Sequence, residues 1–251
     1  MLPAERQKAV LNYVAGRGFA SVSELAEVFS VSEMTIRRDL SDLQEQGHLT
    51  RNWGGANVAD SGFFEVSLQA KKSQFVEEKK RIGAAAAEMV NDGEIVFLDS
   101  GSTTAQVARH LQDKRITVVT NDLSIAAELA KSQKVDVMMT GGMIRKTLLH
   151  LVGPQAEASI ESQRFHKVFL GVEGVDTGRG ITVPDPINAS AKQAMLRSAE
   201  RTIVVVDHSK LGRHTLSTIV PLSEVSMLIT GREASAEIVE ELRKHVEVIA
   251  V

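Results

Sequence analysis

Two adjacent arginines lie in the first turns of a helix predicted over residues 33–46. Ile36, Leu40 and Leu43 recur at i, i+4 and i+7 and make one buried stripe, which leaves the opposite face of the helix uncovered. The uncovered side chains are Ser32, Thr35, Arg37, Arg38 and Ser41. Because the guanidinium fork of arginine pairs with guanine in the major groove or with phosphate, this face predicts contacts with double-stranded DNA.

The residues around this helix predict a winged helix-turn-helix. A shorter helix before it begins at Ser21, where Ser21 and Glu24 have the spacing of a capping box, with the hydroxyl on a backbone amide and the carboxylate on the cap. Residues 48–51 and 56–58 can pair as strands, and the wing that they form carries Arg51, Asn52 and the glycines at 54 and 55. The second helix of such a motif places its first residues in the major groove.

Charge alone does not favour DNA binding, and a solvated helix face is the alternative interpretation of the two arginines. Residues 1–58 contain six Lys or Arg and seven Asp or Glu, a net charge of −1. The prediction therefore depends on position. The basic residues fall at the helix start and at the wing, and the acidic residues can occupy the far side.

A second group of polar and small residues follows an apolar strand predicted over 95–98. This loop consists of Asp99, Ser100, Gly101, Ser102, Thr103 and Thr104. Small residues at a strand end let backbone amides converge, hydroxyls add donors, and the following helix presents the positive end of its dipole. The loop predicts a phosphate site, and a plain capped turn between strand and helix is the alternative. It matches neither a Walker A loop nor a dinucleotide-binding glycine motif.

Further predicted strands also end in small or polar residues, at 120–121, 140–142, 171–174 and 207–210. Ligands of open α/β sheets bind at the carboxyl ends of strands. These ends can therefore line one pocket if the order of strands in the sheet brings them together. Lys192, in a helix predicted over 189–199, can add a cation to the rim of that pocket, or it can be an ordinary exposed lysine.

The elements that must position these residues alternate along the chain. Strands are predicted at 95–98, 116–120, 135–139, 168–171, 202–206, 227–230 and 246–251, and helices between several of them at 104–111, 123–131, 155–162, 189–199 and 234–245. Continuous apolar strands with intervening helices imply an α/β fold with a mostly parallel sheet covered on both faces. The predicted organisation is a winged helix-turn-helix at 1–58, a polar, irregular linker at 59–74 and an α/β domain at 75–251.

Composition excludes several classes of protein. The 251 residues are 43% hydrophobic and 24% charged, as in globular domains, and the net charge of −3 excludes a uniformly basic coat. Cysteine is absent, which excludes disulfides, thiolate catalysis and cysteine-based metal sites. No apolar run reaches about 18 residues, so we expect a cytoplasmic protein with no membrane partner. None of the seven histidines has the spacing of metal ligands, and we expect no metal and no cofactor.

A characteristic run of residues surrounds the helix that carries the arginines. It reads Ser32-Glu33-Met34-Thr35-Ile36-Arg37-Arg38-Asp39-Leu40 and continues with Leu43, Gly47, Arg51 and Gly54-Gly55-Ala56. Over about the first 57 residues this pattern resembles the signature of the DeoR/GlpR family of bacterial transcriptional regulators, which includes repressors of sugar metabolism. The resemblance implies operator binding, with the recognition helix at 32–46 and the helix-turn-helix at about 22–41.

The resemblance extends over the rest of the chain. It is carried by Glu78-Lys79 with Ile82, by 99–104, by Thr120-Asn121, by Thr140-Gly141-Gly142, by Lys192 and by 207–210. These residues resemble the effector domain of the family, which is similar in fold to ribose-phosphate isomerases and glucosamine-phosphate deaminases. The resemblance implies a pocket for a phosphorylated sugar or related metabolite.

The resemblance also implies a role for each of these positions. Residues 99–104 would hold the phosphate, and Thr120, Asn121, Gly141 and Gly142 would line the pocket. The sugar would be contacted by Lys192, Asp207 and Lys210, with Arg145 as a further candidate. Asn188 stands where family members often carry a glutamate, four residues before the lysine, which implies a different polar group facing the sugar and a different ligand.

These observations predict a repressor of a carbohydrate-utilisation operon that a phosphorylated sugar releases from its operator. One winged helix module buries too little surface for specific affinity, so we expect a homodimer or homotetramer. Two other classes stay open, namely a sugar-phosphate isomerase or deaminase with an appended DNA-binding head, and a winged helix that binds protein. No catalytic residue is predicted, because the adjacent Asp207 and His208 point in different directions at a strand end.

Overall fold

The computed structural model describes residues 2–17, 19–45, 49–52, 54–58, 68–145 and 149–251. The chain divides into two compact units, Met1–Gln74 and Phe75–Val251. The smaller unit has one hydrophobic core of its own, and the larger unit has two, one on each face of its main sheet. No described helix is both long enough and apolar enough to cross a membrane.

The smaller unit combines helices with a short antiparallel sheet. Its elements are α1 (Pro3–Arg17), β1 (Phe19–Ser21), α2 (Val22–Val28), α3 (Glu33–Glu45), β2 (Leu49–Asn52), β3 (Gly55–Val58) and α4 (Leu68–Ser73). The predicted strands of the wing are confirmed as β2 and β3. β3 also pairs with β1 on its other side, which gives the strand order β1-β3-β2.

The apolar stripe of α3 is buried as its spacing predicts. Ile36, Leu40 and Leu43 pack into the same core as Val10 of α1 and Leu25 of α2. Residues 68–73 were expected to be part of an irregular linker, but they form α4, which contacts α1. Leucine, glutamine, alanine and lysine, which fill most of this short segment, are all good helix formers.

The predicted capping box of α2 is confirmed, and α1 adds two further donors to its carboxylate. The Ser21 hydroxyl accepts a hydrogen bond from the Glu24 amide at 3.1 Å, as expected for an N-cap. The Glu24 carboxylate also accepts hydrogen bonds from the Tyr13 hydroxyl, at 2.9 Å, and from Arg17. The hydrogen bonds from Tyr13, from the Ser21 backbone amide and from Arg17 lower the pKa of Glu24, so the reciprocal bond of the capping box is present as well.

The larger unit alternates strands and helices along most of its length. Its strands are β4 (Ile95–Leu98), β5 (Ile116–Thr120), β6 (Val135–Met139), β7 (Met143–Arg145), β8 (His150–Val152), β9 (Phe165–Leu170), β10 (Gly174–Asp176), β11 (Gly180–Val183), β12 (Ala199–Val205), β13 (Ser217–Val220), β14 (Met227–Thr230) and β15 (Val248–Ala250). Its helices are α5 (Val76–Glu88), α6 (Thr104–Leu111), α7 (Leu123–Leu129), α8 (Pro154–Glu161), α9 (Pro186–Arg197) and α10 (Ala236–Arg243). Its described residues also include two 3-10 turns, His208–Lys210 and Leu222–Glu224.

Seven strands form one parallel sheet in the order β15-β14-β12-β9-β4-β5-β6. All seven predicted strands are present in it, so the parallel α/β fold is confirmed. Helices α5, α6 and α7 contribute to the core on one face, and α8, α9 and α10 contribute to the core on the other. Apolar runs such as 95–98 can be continuous because both faces of the sheet are covered.

Two smaller antiparallel sheets were not predicted. β10, β11 and β13 form a three-stranded sheet, and β7 pairs with β8 as a hairpin. Each of these strands has only three or four residues. At most two residues of each are aliphatic or methionine, so these strands lack the continuous apolar run by which the equally short β4 was recognised.

Candidate nucleic-acid interface and effector pocket

The exposed face of α3 presents its polar side chains from its first turns. The Ser32 hydroxyl caps the helix by accepting from the Thr35 amide at 3.2 Å, and the hydroxyls of the two residues are 2.9 Å apart. Arg37 forms an exposed ion pair with Glu33 at 3.1 Å, and the Ser41 hydroxyl donates to the Arg37 carbonyl. Arg38 is exposed and has no ion-pair partner within the described part of the chain. An exposed ion pair is weak, so Arg37 can exchange Glu33 for a phosphate or base at small cost.

Two acidic residues of α3 accept hydrogen bonds from α1. Asp39 is buried and accepts hydrogen bonds from Arg6 of α1 at 2.6 and 3.2 Å. Asp42 accepts from Gln7 of α1 at 2.8 Å. Arg6 neutralises the charge of Asp39, whereas the uncharged Gln7 leaves Asp42 negative, and the unit as a whole is not basic.

The wing residues are only partly described. Arg51 and Asn52 belong to β2, whose backbone pairs with β3. Their side chains lie outside the part that the structure describes, as do Gly47 and Trp53. Contact of Arg51 and Asn52 with DNA therefore stays a prediction.

The loop after β4 has the geometry of an anion site. Ser100, Ser102 and Thr103 are each only 7% exposed, and α6 begins directly after them at Thr104. The backbone amides of Ser102 and Thr103 donate to no other group among the described residues. The Thr104 hydroxyl donates to the Gly101 carbonyl at 3.0 Å and fixes the turn. Unused amides at a helix start are the donors that phosphate oxygens require.

Asp99 and Lys192 form a buried ion pair beside this loop. The Lys192 ammonium donates to the Asp99 carboxylate and, at 2.8 Å, to the Gly171 carbonyl. The same carboxylate accepts from the Gly171 amide at 3.1 Å. Asp99 therefore holds Lys192 at the junction of β4, β9 and α9, while the amides of Ser102 and Thr103 remain available to an anion.

Thr120 and Asn121 follow β5 and differ in their contacts. The Thr120 hydroxyl donates to the Leu98 carbonyl at 2.7 Å and accepts from the Asp122 amide at 3.0 Å, so it ties β5 to β4. The Asn121 side chain donates to the Leu151 carbonyl at 3.4 Å, while its Oδ1 atom is buried without a partner among the described residues. Asn121 is thus the one of the two whose side chain has bonding capacity left for a ligand.

The glycines after β6 allow a close approach. Gly142 has φ of +112°, and a Cβ atom there would lie 2.7 Å from the Val152 carbonyl oxygen. Gly141 also has positive φ, +71°. Only glycine combines this backbone with this proximity. The end of β6 therefore packs directly against β8 and the start of α8.

Asp207 and Lys210 lie at the end of β12 in two further ion pairs. Asp207 is 3.5 Å from the Lys79 ammonium, and Lys210 is 3.0 Å from Glu173, which follows β9. The Glu173 carboxylate raises the pKa of Lys210. Burial lowers the pKa of Lys79, although Asp207 acts in the opposite direction. Both pairs hold charged groups at the carboxyl edge of the sheet.

Arg145 is engaged at the start of α9. Its guanidinium pairs with Asp185, whose carboxylate also caps α9 by accepting from the Ile187 amide. The pair anchors the end of β7 to the helix that carries Asn188 and Lys192. Contact between Arg145 and an effector stays a prediction.

One buried side chain at this edge was missed from the sequence. His150 of β8 lies 2.8 Å from the Asn188 Oδ1 atom, measured from Nε2, and only 2% of the residue is exposed. Burial lowers its pKa. The sequence contains no signal for His150, because β7 and β8 are too short to predict and because His150 has no metal-ligand spacing with the other histidines.

The order of the sheet brings the predicted strand ends together. β12, β9, β4, β5 and β6 are consecutive neighbours, and their carboxyl ends carry the five predicted segments. Within the described residues, no group of three or more histidine or carboxylate side chains could hold a metal ion. The edge is thus built from an amide-rich loop, paired lysines and small residues, which suits a polar, anionic ligand.

Known protein families match both units of the chain. Residues 6–62 match the DeoR-like helix-turn-helix domain, and residues 74–232 match the DeoR C terminal sensor domain.

Relatives are similar over nearly the whole length. The transcriptional regulator GlpR of Haloferax volcanii is 36% identical over 96% of this chain and 95% of its own. The transcriptional repressor AccR of Agrobacterium fabrum is 34% identical over 96% of this chain and 95% of its own. The transcriptional repressor GlcR of Bacillus subtilis is 31% identical over 92% of this chain and 90% of its own.

Solved structures are more distant. Ribose 5-phosphate isomerase A of Methanocaldococcus jannaschii is 15% identical with a TM-score of 0.39, over 53% of this chain and 52% of its own. The eIF2B beta protein of Chaetomium thermophilum is 15% identical with a TM-score of 0.43, over 68% of this chain and 54% of its own. The two family matches and the full-length relatives show that the chain belongs to the DeoR family of DNA-binding transcriptional regulators.

Proposed function

We propose that this protein represses a carbohydrate-utilisation operon and leaves its operator when a phosphorylated sugar or a related metabolite binds the larger unit. The observation that carries the proposal is the edge where five parallel strands end around the loop 100–104 and the buried Lys192. Unused amides at the start of α6 offer hydrogen bonds and a positive dipole end to a phosphate. Because the loop is buried, these interactions are screened less than they would be at the surface.

The smaller unit supplies the DNA-binding half of the proposal. The exposed face of α3 carries Arg37 and Arg38, and the acids Asp39 and Asp42 are bound to α1. A single module of this size does not give operator specificity, so the repressor would bind as a homodimer or homotetramer to repeated half-sites.

The larger unit favours sensing over catalysis. Asp207 pairs with Lys79 and accepts from Ser209, while the His208 ring is 2.9 Å from the Glu78 carboxylate. The two adjacent residues are therefore bound to different partners and do not form an acid–base couple. This arrangement supports a binding site without turnover, in line with relatives that are named as transcription regulators.

The DNA contacts can be tested with the double variant Arg37→Ala/Arg38→Ala. We expect its affinity for the DNA upstream of its own gene to fall at least about tenfold, with a shallower salt dependence, because each phosphate or base contact is lost. Gel-shift titrations at several salt concentrations measure both quantities.

Arg243→Ala is the matched control, since Arg243 is also an exposed helical arginine but lies in α10 of the larger unit. Unchanged affinity in a folded double variant would contradict the assignment of α3. If the wild type shows no salt-sensitive DNA binding at all, a winged helix that binds protein becomes the better interpretation.

The effector class can be tested by thermal unfolding with a panel of sugar phosphates. A ligand at 100 times its Kd adds about 2.7 kcal/mol to the free energy of unfolding. We expect the ligand to stabilise the wild type and to stabilise Thr103→Ala less. Thr177→Ala is the control, because it changes an exposed threonine outside the predicted effector residues, and the ligand should stabilise it as much as the wild type. No stabilisation by any phosphorylated compound would contradict the proposal.

A further inference from the structure

The ring of His150 has a defined tautomer. Its Nε2 atom lies 2.8 Å from the Asn188 Oδ1 atom. An amide oxygen can only accept a hydrogen bond, so Nε2 carries the hydrogen and donates it. Asn188 thereby fixes both the orientation of the ring and the position of its proton.

The other ring nitrogen is left as an acceptor. Burial lowers the pKa of His150, so the ring is neutral at neutral pH and Nδ1 bears a lone pair. Nδ1 is buried and has no hydrogen-bond partner among the described residues. A buried polar atom without a partner is costly, and native proteins keep few of them.

His150 lies beside the predicted effector residues. It forms an antiparallel bridge with Asp122, and the amide of the next residue, Leu151, donates to the Asn121 carbonyl at 2.8 Å. The charges of Lys192 and Asp99 both act on the pKa of His150. The ring therefore belongs to the edge of the sheet where β4, β5 and α9 meet.

Two further buried acceptors at this edge also lack partners. They are the Oδ1 atoms of Asp99 and Asn121, so that three acceptors from three different segments are unsatisfied within the described part of the chain. A phosphate dianion has no hydrogen to donate to them. Hydroxyl groups do, and a molecule with several hydroxyls can donate in several directions at once.

The unused donors and the unused acceptors thus suit different chemical groups of one ligand. The amides of Ser102 and Thr103 suit an anion, whereas Asp99, Asn121 and His150 suit hydroxyl hydrogens. We propose that His150 binds the proposed sugar-phosphate effector by accepting a hydrogen bond from one of its hydroxyl groups at Nδ1. This inference rests on the proposed sensing function and adds to it a residue that determines specificity.

The test compares sugar phosphates with inorganic phosphate on the full-length protein. Calorimetric titrations use glucose 6-phosphate, fructose 1-phosphate, fructose 6-phosphate, ribose 5-phosphate, their available deoxy analogues and inorganic phosphate. The variant His150→Phe keeps a ring of similar shape and removes both nitrogens. We expect it to bind the preferred sugar phosphate at least about tenfold more weakly, and inorganic phosphate within about twofold of the wild type.

The variant Ser102→Ala is the control for the anion site. It should weaken both the sugar phosphate and inorganic phosphate, because it removes a hydroxyl from the loop that both use. Equal affinity of the wild type and His150→Phe for the preferred sugar phosphate would overturn the role of His150 while leaving the proposed function intact. If no sugar phosphate binds the wild type, the proposed function itself fails, and this inference fails with it.

A measurement on the wild type covers the case in which His150→Phe does not fold. Long-range proton–nitrogen NMR spectra should show His150 with a hydrogen on Nε2 and none on Nδ1. The Nδ1 resonance should move when the preferred sugar phosphate is added and stay in place with inorganic phosphate. The proposal would be overturned by a hydrogen on Nδ1 in the unbound protein, or by an Nδ1 resonance that does not shift when the sugar phosphate is added.

Discussion

At the scale of single residues, Lys192 and Asp99 are stable in the interior because each compensates the charge of the other. Their side chains are 7% and 1% exposed. The sequence identified both as candidates for ligand contact, but they are 93 positions apart, and nothing in the sequence indicates their pairing. Their contact exists only because β4 and β9 are neighbours and α9 packs against β9.

We predict that Lys192→Met lowers the free energy of unfolding by about 3–5 kcal/mol, because it leaves the Asp99 carboxylate buried without its counter-charge. The double variant Asp99→Asn/Lys192→Met should recover a large part of that loss, since neither charge remains. Urea unfolding of the wild type, both single variants and the double variant gives the coupling. Purely additive losses would show that the pair does not act as a unit.

At the scale of elements, the site depends on close contacts between strand ends and hairpins. The long apolar strands and the amphipathic helices were predicted, because burial of a whole face leaves a periodic signal in the sequence. The hairpin of β7 and β8 was not predicted, because its three-residue strands leave no periodic signal in the sequence. His150 lies in this hairpin and was missed for the same reason. The glycines at 141 and 142 were recognised from the sequence as candidate pocket residues, but their close approach to β8 and α8 was not predicted.

We predict that Gly142→Ala destabilises the larger unit more than Gly153→Ala does. Both glycines have positive φ, +112° and +98°, so each alanine is strained. Only at Gly142 would the new Cβ atom meet another group, the Val152 carbonyl oxygen at 2.7 Å, whereas nothing lies within 4 Å at Gly153. The difference in free energy of unfolding should exceed about 1 kcal/mol. Equal losses would mean that backbone conformation alone requires glycine at 142.

At the scale of the whole molecule, the proposed function requires that a ligand of the larger unit changes the affinity of the smaller unit for DNA. The structure describes two compact units, each with its own core. Regulation then depends on a coupling free energy between effector and operator, which is reciprocal for binding equilibria. An effector that binds the DNA-bound and unbound forms equally well would release nothing, however tightly it binds.

We predict that a saturating effector weakens operator affinity by the same factor by which operator DNA weakens effector affinity. Typical couplings of 1–3 kcal/mol correspond to factors of about 5–150. Fluorescence anisotropy gives the operator Kd with and without the sugar phosphate, and calorimetry gives the effector Kd with and without the operator. Unequal factors would contradict a single linked equilibrium, and a factor of one would contradict effector-controlled release.

The sequence by itself determined the local features of this protein. The stripe of α3, the uncovered face with its arginines, the alternation of strands and helices and the loop after β4 are each encoded within a few turns of chain. Hydrophobic periodicity and the chemistry of small residues act over that distance. The family resemblance came from the same short segments.

The tertiary structure decided which of these features meet. It set the strand order that gathers five strand ends, paired Lys192 with Asp99, turned Asp39 toward Arg6, and placed His150 beside Asn188. Such contacts join residues tens of positions apart and are selected by the packing of whole elements. No local pattern records them, because the energy that selects them comes from burying all the elements together.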